Sequence, residues 1–97
     1  MRVIARGTLR KFYDIHADSK SPLEAWFHEV AAARWVGPLD IKNRYPSADI
    51  LQGNRAIFNI KGNTYRLIVK IHYNTGIVFI RFIGTHAEYD RIDATTI

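Results

Sequence analysis

Three apolar, β-branched runs constrain the fold of this chain more than any other feature. Their composition predicts β-strands at 55–61, 64–73 and 77–84. Only the short segments Gly62-Asn63 and Asn74-Thr75-Gly76 separate them. Connections this short join antiparallel neighbours, whereas parallel strands need a crossover of a dozen residues or more. The sequence therefore predicts a three-stranded antiparallel meander.

The Gly62-Asn63 pair is typical of a two-residue hairpin loop, and such a loop determines which residues of the two strands lie opposite each other. One face then pairs Lys61 with Thr64, Asn59 with Arg66, Ile57 with Ile68 and Arg55 with Lys70. The other face pairs Ile60 with Tyr65, Phe58 with Leu67 and Ala56 with Val69. The first face is basic and the second apolar, so this register agrees with a sheet that buries one face.

The second turn does not determine its own loop length. A three-residue loop would place Arg81 opposite Val69, inside the core. A loop of two or four residues would pair Tyr73 with Val78, Ile71 with Ile80 and Val69 with Phe82. We expect the latter, because burying an unpaired guanidinium group is costly. Arg81 would then lie beside Lys70, and Thr85 opposite Arg66. The apolar residues predicted to share the basic face are Ile57, Ile68, Phe79 and Ile83.

The N-terminal half predicts one strand and two helices. A strand is expected at 1–5, followed by a helix that Thr8 caps and that runs to about His16. The segment "SPLE" predicts the start of a second helix, with Ser21 as N-cap, Pro22 in the first helical position and Glu24 completing a capping box. Gly37-Pro38 is expected to end that helix.

Segment 38–54 is expected to be a connector with a helical turn around 39–44, and the tail from Thr85 a short helix or turn. The predicted class is α+β, with an N-terminal strand and two helices packed on an antiparallel meander and a short C-terminal helix. With 97 residues there is room for one core, so we expect a single domain over 1–97.

Several kinds of site are excluded or disfavoured by composition. The chain has no cysteine, which excludes disulfides and thiolate zinc sites and is compatible with a cytoplasmic location. The histidines His16, His28 and His72 show no metal-ligand spacing. The N-terminus has no apolar stretch long enough for a signal peptide, and no run is long enough to span a membrane. We expect no membrane association.

The positive charge of the chain is segregated. The formal net charge is +5, and the stretch from Ile50 to Ala87 contains no Asp or Glu. It does contain five basic residues: Arg55, Lys61, Arg66, Lys70 and Arg81. Strands hold few acids in any case, but basic residues are not depleted here in the same way. Segregated positive charge favours a polyanionic partner.

The basic face also carries apolar residues between its charges. Such a face suits nucleotides, whose phosphates bind cations and whose bases stack on flat surfaces. It also suits an acidic protein, and a plain solvated surface is the third possibility. Trp26 and Trp35 are expected either in the helix–sheet core or on a surface that binds a partner protein.

From Phe58 to Asp90 the sequence "FNIKGNTYRLIVKIHYNTGIVFIRFIGTHAEYD" resembles the HigB family of toxins from bacterial toxin–antitoxin pairs, within the RelE-like group. The resemblance lies in "GNTYRLIV" together with "THAEYD" at this spacing. It implies a RelE-like two-layer fold and a ribosome-dependent mRNA endonuclease that uses no metal or other cofactor. It also implies neutralisation by a cognate helix-turn-helix antitoxin of the HigA type, through which alone the toxin would reach operator DNA.

The implied reaction is attack of a ribose 2′-hydroxyl on the adjacent phosphate with expulsion of the 5′-oxygen, which needs a base, an acid and cations at the phosphate. By the resemblance, Arg66 stabilises the phosphoryl charge, His86 is acid or base, and Tyr89 stacks on a base or transfers a proton. The residues expected to bind RNA are Asn59, Lys61, Asn63, Lys70 and Arg81.

Other interpretations stay open on the sequence alone. A toxin of the same fold that inhibits DNA gyrase would not need His86 or Tyr89, and a non-catalytic adaptor would use the basic face only to bind RNA. For the individual residues, Arg66 can pair with a tail carboxylate, Glu88 or Asp90. His86 can brace the C-terminal turn, and Tyr89 can close the core.

Overall fold

The computed structural model describes all residues, 1–97, and contains a five-stranded sheet with four α-helices. The strands are β1 (Arg2–Ile4), β2 (Asp49–Leu51), β3 (Arg55–Ile60), β4 (Tyr65–His72) and β5 (Ile77–Thr85). The helices are α1 (Arg6–Ile15), α2 (Lys20–Ala32), α3 (Pro38–Arg44) and α4 (His86–Tyr89), with a single 3-10 turn at Ala17–Ser19.

The strands are arranged in the order β1-β5-β4-β3-β2. The β2–β3, β3–β4 and β4–β5 pairs are antiparallel. Strand β1 lies parallel to β5, and the long segment between them permits this arrangement. The predicted α+β class is confirmed, as are the N-terminal strand, the meander and the short C-terminal helix. The predicted connector holds two elements, since the helical turn around 39–44 is α3 and the edge strand β2 was not predicted.

The predicted helix boundaries were wrong in three places. Helix α1 begins at Arg6, after Ala5 in the left-handed region (φ 71°), so Thr8 lies inside the helix. Helix α2 begins at Lys20, because the 3-10 turn continues directly into it, and the buried Ser19 hydroxyl donates to the His16 carbonyl (2.7 Å). Ser21 is therefore not an N-cap.

The end of α2 also differs from the expectation. The helix stops at Ala32, and Gly37-Pro38 instead starts α3, with proline in its first turn. Proline is well tolerated at that position, since the N–H it lacks would have no helical partner there.

None of the helices combines the length and the apolar character that crossing a bilayer requires.

The β3–β4 hairpin has the predicted register. The pairs run from Arg55–Lys70 to Ile60–Tyr65 without a shift. The turn is closed by a hydrogen bond from the Thr64 amide to the Lys61 carbonyl (3.1 Å), and both Lys61 and Gly62 adopt positive φ. The Gly-Asn signal and the alternation of apolar residues therefore specified this part of the sheet.

The predicted β4–β5 register was wrong. His72 pairs with Ile77 and Val69 with Ile80, and a bulge then shifts the pairing so that Ile68 lies opposite Phe82. The bulge leaves Arg81 as the extra residue, exposed to solvent. An inserted residue reverses the side-chain alternation beyond it. The turn between His72 and Ile77 has four residues, so Arg81 faces outward as predicted, although the pairs are offset from the predicted ones, and the bulge shifts only the residues beyond it.

The bulge redistributes the end of β5 between the two faces of the sheet. Ile83, predicted on the basic face, lies in the main core, and Phe82, predicted inside, packs on the other face. Arg81 does not lie opposite Lys70, whose partner is Phe79. Thr85 lies opposite Tyr65 rather than Arg66, and Gly84 takes the place opposite Arg66.

The main core lies between the helices and one face of the sheet. Trp26 and Trp35 both belong to it, and their rings lie 5.4 Å and 6.1 Å from the ring of Phe58. Of the two expectations for these tryptophans, the helix–sheet core is confirmed.

The opposite face of the sheet, here called the outer face, is also partly covered. The tail after α4 folds back over Ile57 and Ile68 and contributes Ile92, Ala94 and Ile97 to a small second cluster. Arg55 donates two hydrogen bonds to the Ile97 carbonyl (3.2 and 3.1 Å). The tail therefore covers Ile57 and Ile68, which would otherwise be exposed to solvent on the basic face.

Candidate active site on the outer face

Arg66 lies on the outer face of β4, between Asn59 of β3 and Gly84 of β5. Its side chain is only 20% exposed. The guanidinium carbon lies 4.9 Å from the centroid of the Tyr89 ring, a cation–π arrangement. Arg66 and Tyr89, which are 23 positions apart in the sequence, are therefore in direct contact.

A capping box holds α4, and with it Tyr89, against the sheet. The Glu88 amide donates to the Thr85 hydroxyl (3.2 Å), and the Thr85 amide donates to the Glu88 carboxylate (2.9 Å). The Thr85 amide holds the pKa of Glu88 below its usual range. The sequence had predicted a capping box at Ser21 and Glu24, at the start of α2. The structure instead has one at Thr85 and Glu88, at the start of α4.

The strand also approaches α4 closely at Gly84. A Cβ atom at this residue would lie 2.5 Å from the Phe82 ring and 3.2 Å from Cβ of Glu88. A larger residue would push α4 away from the sheet. The segment "GTHAE" therefore has a structural explanation in which a glycine permits the close approach and Thr85 and Glu88 cap the helix.

Three polar atoms in this region are buried and have no hydrogen-bond partner: Asn59 Oδ1, Arg66 Nε and His86 Nε2. Asn59 and Arg66 are cross-strand neighbours, and His86 is the first residue of α4. Buried polar groups in folded proteins are nearly always paired, and the exceptions mark functional sites or bound water and ions. Three such atoms among the predicted site residues indicate a surface prepared for a polar ligand.

Asp49 is a residue of this surface that the sequence did not predict. Its carboxylate lies 3.5 Å from Nη1 of Arg66, and its side chain is 60% exposed. Asp49 reaches this position because β2 pairs it with Ile57, whose side chain faces the same side of the sheet. Arg66 therefore pairs with Asp49, and neither Glu88 nor Asp90 forms an ion pair with it. The only sequence signal was that Asp49 borders the acid-free stretch.

The predicted RNA-binding lysine at the hairpin turn has an acidic partner. Lys61 donates to Asp18 (2.6 Å), which also accepts a hydrogen bond from the Tyr65 hydroxyl (2.5 Å). The hydrogen bond from Lys61, and to a smaller extent the one from Tyr65, lower the pKa of Asp18. The hydrogen bond to Asp18 raises the pKa of Tyr65. Asn63 is exposed in the same turn. Lys61 remains 47% exposed, so it can still contact a further ligand.

The remaining predicted cations lie farther along the sheet. Lys70 is half-buried on β4, Arg81 is exposed at the bulge of β5, and neither forms an ion pair. The outer face therefore joins Asn59, Arg66, Tyr89 and the newly found Asp49 in one group. No three histidine, cysteine, aspartate or glutamate side chains are grouped so that they could hold a metal ion.

Comparison with known proteins gives a consistent result. The family model described as HigB_toxin, a RelE-like toxic component of a toxin–antitoxin system, matches residues 19–92. The mRNA interferase toxin HigB of Escherichia coli K12 is 26% identical over 92 residues, which cover 93% of this chain and 88% of that protein. The mRNA interferases HigB of Escherichia coli O157:H7 and of Shigella flexneri match to the same extent.

Proposed function

This chain belongs to the HigB family of RelE-like toxins, the toxic components of toxin–antitoxin systems, and from that premise we propose that it is an mRNA endonuclease acting on translating ribosomes. The names of its relatives support this activity. The observation that carries the proposal is the contact of Arg66 with Tyr89 next to three buried, unpartnered polar atoms. The neutralising partner is the cognate antitoxin, which we expect to be a helix-turn-helix protein.

Arg66 is proposed to bind the phosphate that is cut. Its planar guanidinium presents several N–H donors, which suits the oxygens of a phosphoryl group. The Tyr89 ring limits the positions that the side chain can take. A cation held in place before the substrate arrives stabilises the developing charge without reorganisation.

Two groups are proposed to move the protons. The 2′-oxygen attacks phosphorus as its proton passes to the Asp49 carboxylate, and the P–O5′ bond breaks as protonated His86 gives a proton to the 5′-oxygen. The products are a 2′,3′-cyclic phosphate and a 5′-hydroxyl. Asp49 is suited to be the acceptor, since its carboxylate lies 3.5 Å from the guanidinium that would hold the phosphate. An imidazole ring can both carry and release a proton, which suits the role of general acid proposed for His86.

The other polar groups of this region are proposed to hold the RNA strand. Tyr89 offers the edge of its ring to a base while its face contacts Arg66. Asn59 and Asn63 can hydrogen-bond to bases or to phosphate. Lys61, Lys70 and Arg81 would bind flanking phosphates, which makes binding depend on salt concentration.

We propose that the reaction needs no metal ion and occurs in the cytoplasm, where ribosomes carry messenger. Any effect on operator DNA would pass through the antitoxin. Such a cleavage requires a base, a cation and an acid, and we assign these roles to Asp49, Arg66 and His86 in that order. These side chains can then complete the reaction without a cofactor.

The test is expression of the chain without its antitoxin, with mapping of the 5′ ends of messengers. We expect growth arrest and new 5′ ends within translated codons. Toxin that has been pretreated with EDTA should cut the messenger on purified ribosomes equally well in a buffer whose only divalent cation is the Mg²⁺ that ribosomes need. Arg66→Ala and His86→Ala should each lower cleavage by about 100-fold or more while the folded state survives. The proposal is wrong if both variants cut messenger as fast as the wild type.

A further inference from the structure

Arg55 is a cation of the outer face that no step of the proposed reaction uses. It begins β3, where its neighbours on the two adjacent strands are Leu51 and Lys70. Like charges directly opposite each other on a sheet are destabilising, so the pairing with Lys70 does not explain this cation. Arg55 forms no ion pair with an Asp or Glu side chain. Its partner is the Ile97 carbonyl, to which both Nε and Nη2 donate (3.2 and 3.1 Å).

The turn between β2 and β3 leaves space for this guanidinium. Gly53 lies in that turn with a positive φ of 71°. A Cβ atom at Gly53 would lie 2.7 Å from Nη1 of Arg55, so a larger residue would displace the guanidinium. Arg55 therefore lies between the turn and the tail, and it fixes the position of one relative to the other.

The tail returns from α4 to Arg55 through a turn at Asp93. The Ile92 amide first donates to the Tyr89 carbonyl (3.2 Å), which continues the helical path for one more turn. The amides of Thr95 and Ile97 then donate to the side chain and the carbonyl of Asp93 (2.9 and 3.1 Å). Hydrogen bonds therefore define the whole path from Tyr89 to Ile97.

Tyr89 lies on a segment that is held at both ends. The capping box holds the start of α4, and Arg55 holds the last residue of the tail. Helix α4 has only four residues, and an isolated helix of that length is not stable in water. Between the two anchors, Tyr89 and the tail pack on Ile57 and Ile68. Loss of the anchor at Arg55 should therefore let the Tyr89 ring move away from Arg66.

We propose that Arg55 is a positioning residue, which acts through the tail to hold the Tyr89 ring against Arg66. Two of its donors are bound to the tail, so we do not place Arg55 among the phosphate-binding cations. The consequence for cleavage rests on the proposed function, because it assumes that Arg66 binds the phosphate that is cut. A guanidinium without the ring beside it samples more positions and loses its preorganisation. The loss should therefore appear in kcat rather than in KM.

The first test needs no RNA and is made on the free chain by NMR. Nε of Arg66 is buried, and its guanidinium lies over the Tyr89 ring, so the ring current should shift the Nε–H proton resonance upfield. Arg55→Met removes every donor and keeps the apolar stem. It should move this resonance towards its position in Tyr89→Leu, whereas Arg55→Lys, which keeps a donor, should move it less. Arg2→Met is the matched control, because Arg2 is exposed on β1 at the opposite edge of the sheet.

The second test measures cleavage on ribosomes with the same proteins. Arg55→Met should lower kcat by about tenfold with little change in KM, and Arg2→Met should change neither. In the Tyr89→Leu background, Arg55→Met should cause no further loss, because the contact that it supports is already gone. Deleting Ile97 removes the acceptor and leaves Arg55 in place, so it should give the same resonance shift even if Arg55→Met does not fold.

An Arg66 resonance that stays at its wild-type position in Arg55→Met and after deletion of Ile97 would overturn the proposal. Additive losses of cleavage in the double variant would also overturn it, since Arg55 would then act independently of Tyr89. If the resonance shifts as expected and the wild-type chain cuts no messenger, the proposed function fails and the positioning by Arg55 stands.

Discussion

Removing the hydroxyl of Thr85 should loosen α4 and little else. Thr85→Ala deletes the oxygen that accepts from the Glu88 amide (3.2 Å) and so breaks half of the capping box. Loss of an N-cap residue costs roughly 0.5–2 kcal/mol, typically about 1 kcal/mol. For a domain of this size we expect the melting temperature to fall by about 4–8 °C per kcal/mol. Thr85→Ser keeps the oxygen and should melt close to the wild type.

The loss should be concentrated in the last helix. The Asp90 amide donates to the His86 carbonyl (2.9 Å), so its exchange reports whether α4 is formed. A cost of about 1 kcal/mol should speed this exchange by roughly fivefold. Cleavage depends on the population in which α4 is formed, and that population changes much less than the open one, so messenger cleavage should fall by less than about fivefold and far less than in His86→Ala.

The measurements are calorimetry, hydrogen exchange by NMR and the ribosome cleavage assay on the same three proteins. If Thr85→Ala melts at the wild-type temperature and its Asp90 amide exchanges at the wild-type rate, the capping box does not hold α4. If Thr85→Ser behaves like Thr85→Ala, the effect comes from the lost methyl group, and the reasoning from the hydroxyl is refuted.

Two further predictions concern carboxylates. Asp49→Asn should lower the cleavage rate by about 10²–10⁴-fold, because the amide cannot take the 2′-hydroxyl proton. Binding of messenger, measured in a filter assay, should be kept or improved. A variant that cuts as fast as the wild type would remove Asp49 from the mechanism. Asp18 is stabilising in its ionised form, since Lys61 and Tyr65 lower its pKa. Its contribution is therefore present above the unfolded pKa of about 3.9 and is lost as the pH falls through the lower folded value. In urea denaturation, Asp18→Asn should be less stable than the wild type at neutral pH and equally stable in strong acid; a difference that persists in acid would contradict this.

The sequence was informative where a local signal and burial agreed. The β3–β4 register followed from the Gly62-Asn63 turn, since the same pairing separates apolar from basic residues. The predicted pairing of the last two strands also placed Arg66 beside the "THAEYD" segment, by pairing it with Thr85, although the structure pairs Arg66 with Gly84. These features depend on residues that are close in sequence or belong to one motif.

Other features depended on contacts between distant segments. In β5 the residues on both sides of Arg81 are apolar, so the alternation of the sequence did not reveal a bulge. Strand β2 has three residues and is stable only as a neighbour of β3, which explains why Asp49 was missed. The tail has no strong pattern of its own, and it is ordered by packing on Ile57 and Ile68. No single segment carries the information that joins these pieces.

The bulge at Arg81 divides β5 into two halves with opposite phase. Ile77–Ile80 follows one alternation, and Phe82–Thr85 follows the other. The face that each residue after Arg81 takes therefore depends on the bulge. If β5 kept its length but lost the bulge, Phe82 would lie opposite Leu67 and Ile83 opposite Arg66, so the two residues would exchange faces and the last helix would start towards the wrong side of the sheet. The bulge is thus part of what brings Tyr89 to Arg66, although Arg81 itself is exposed to solvent.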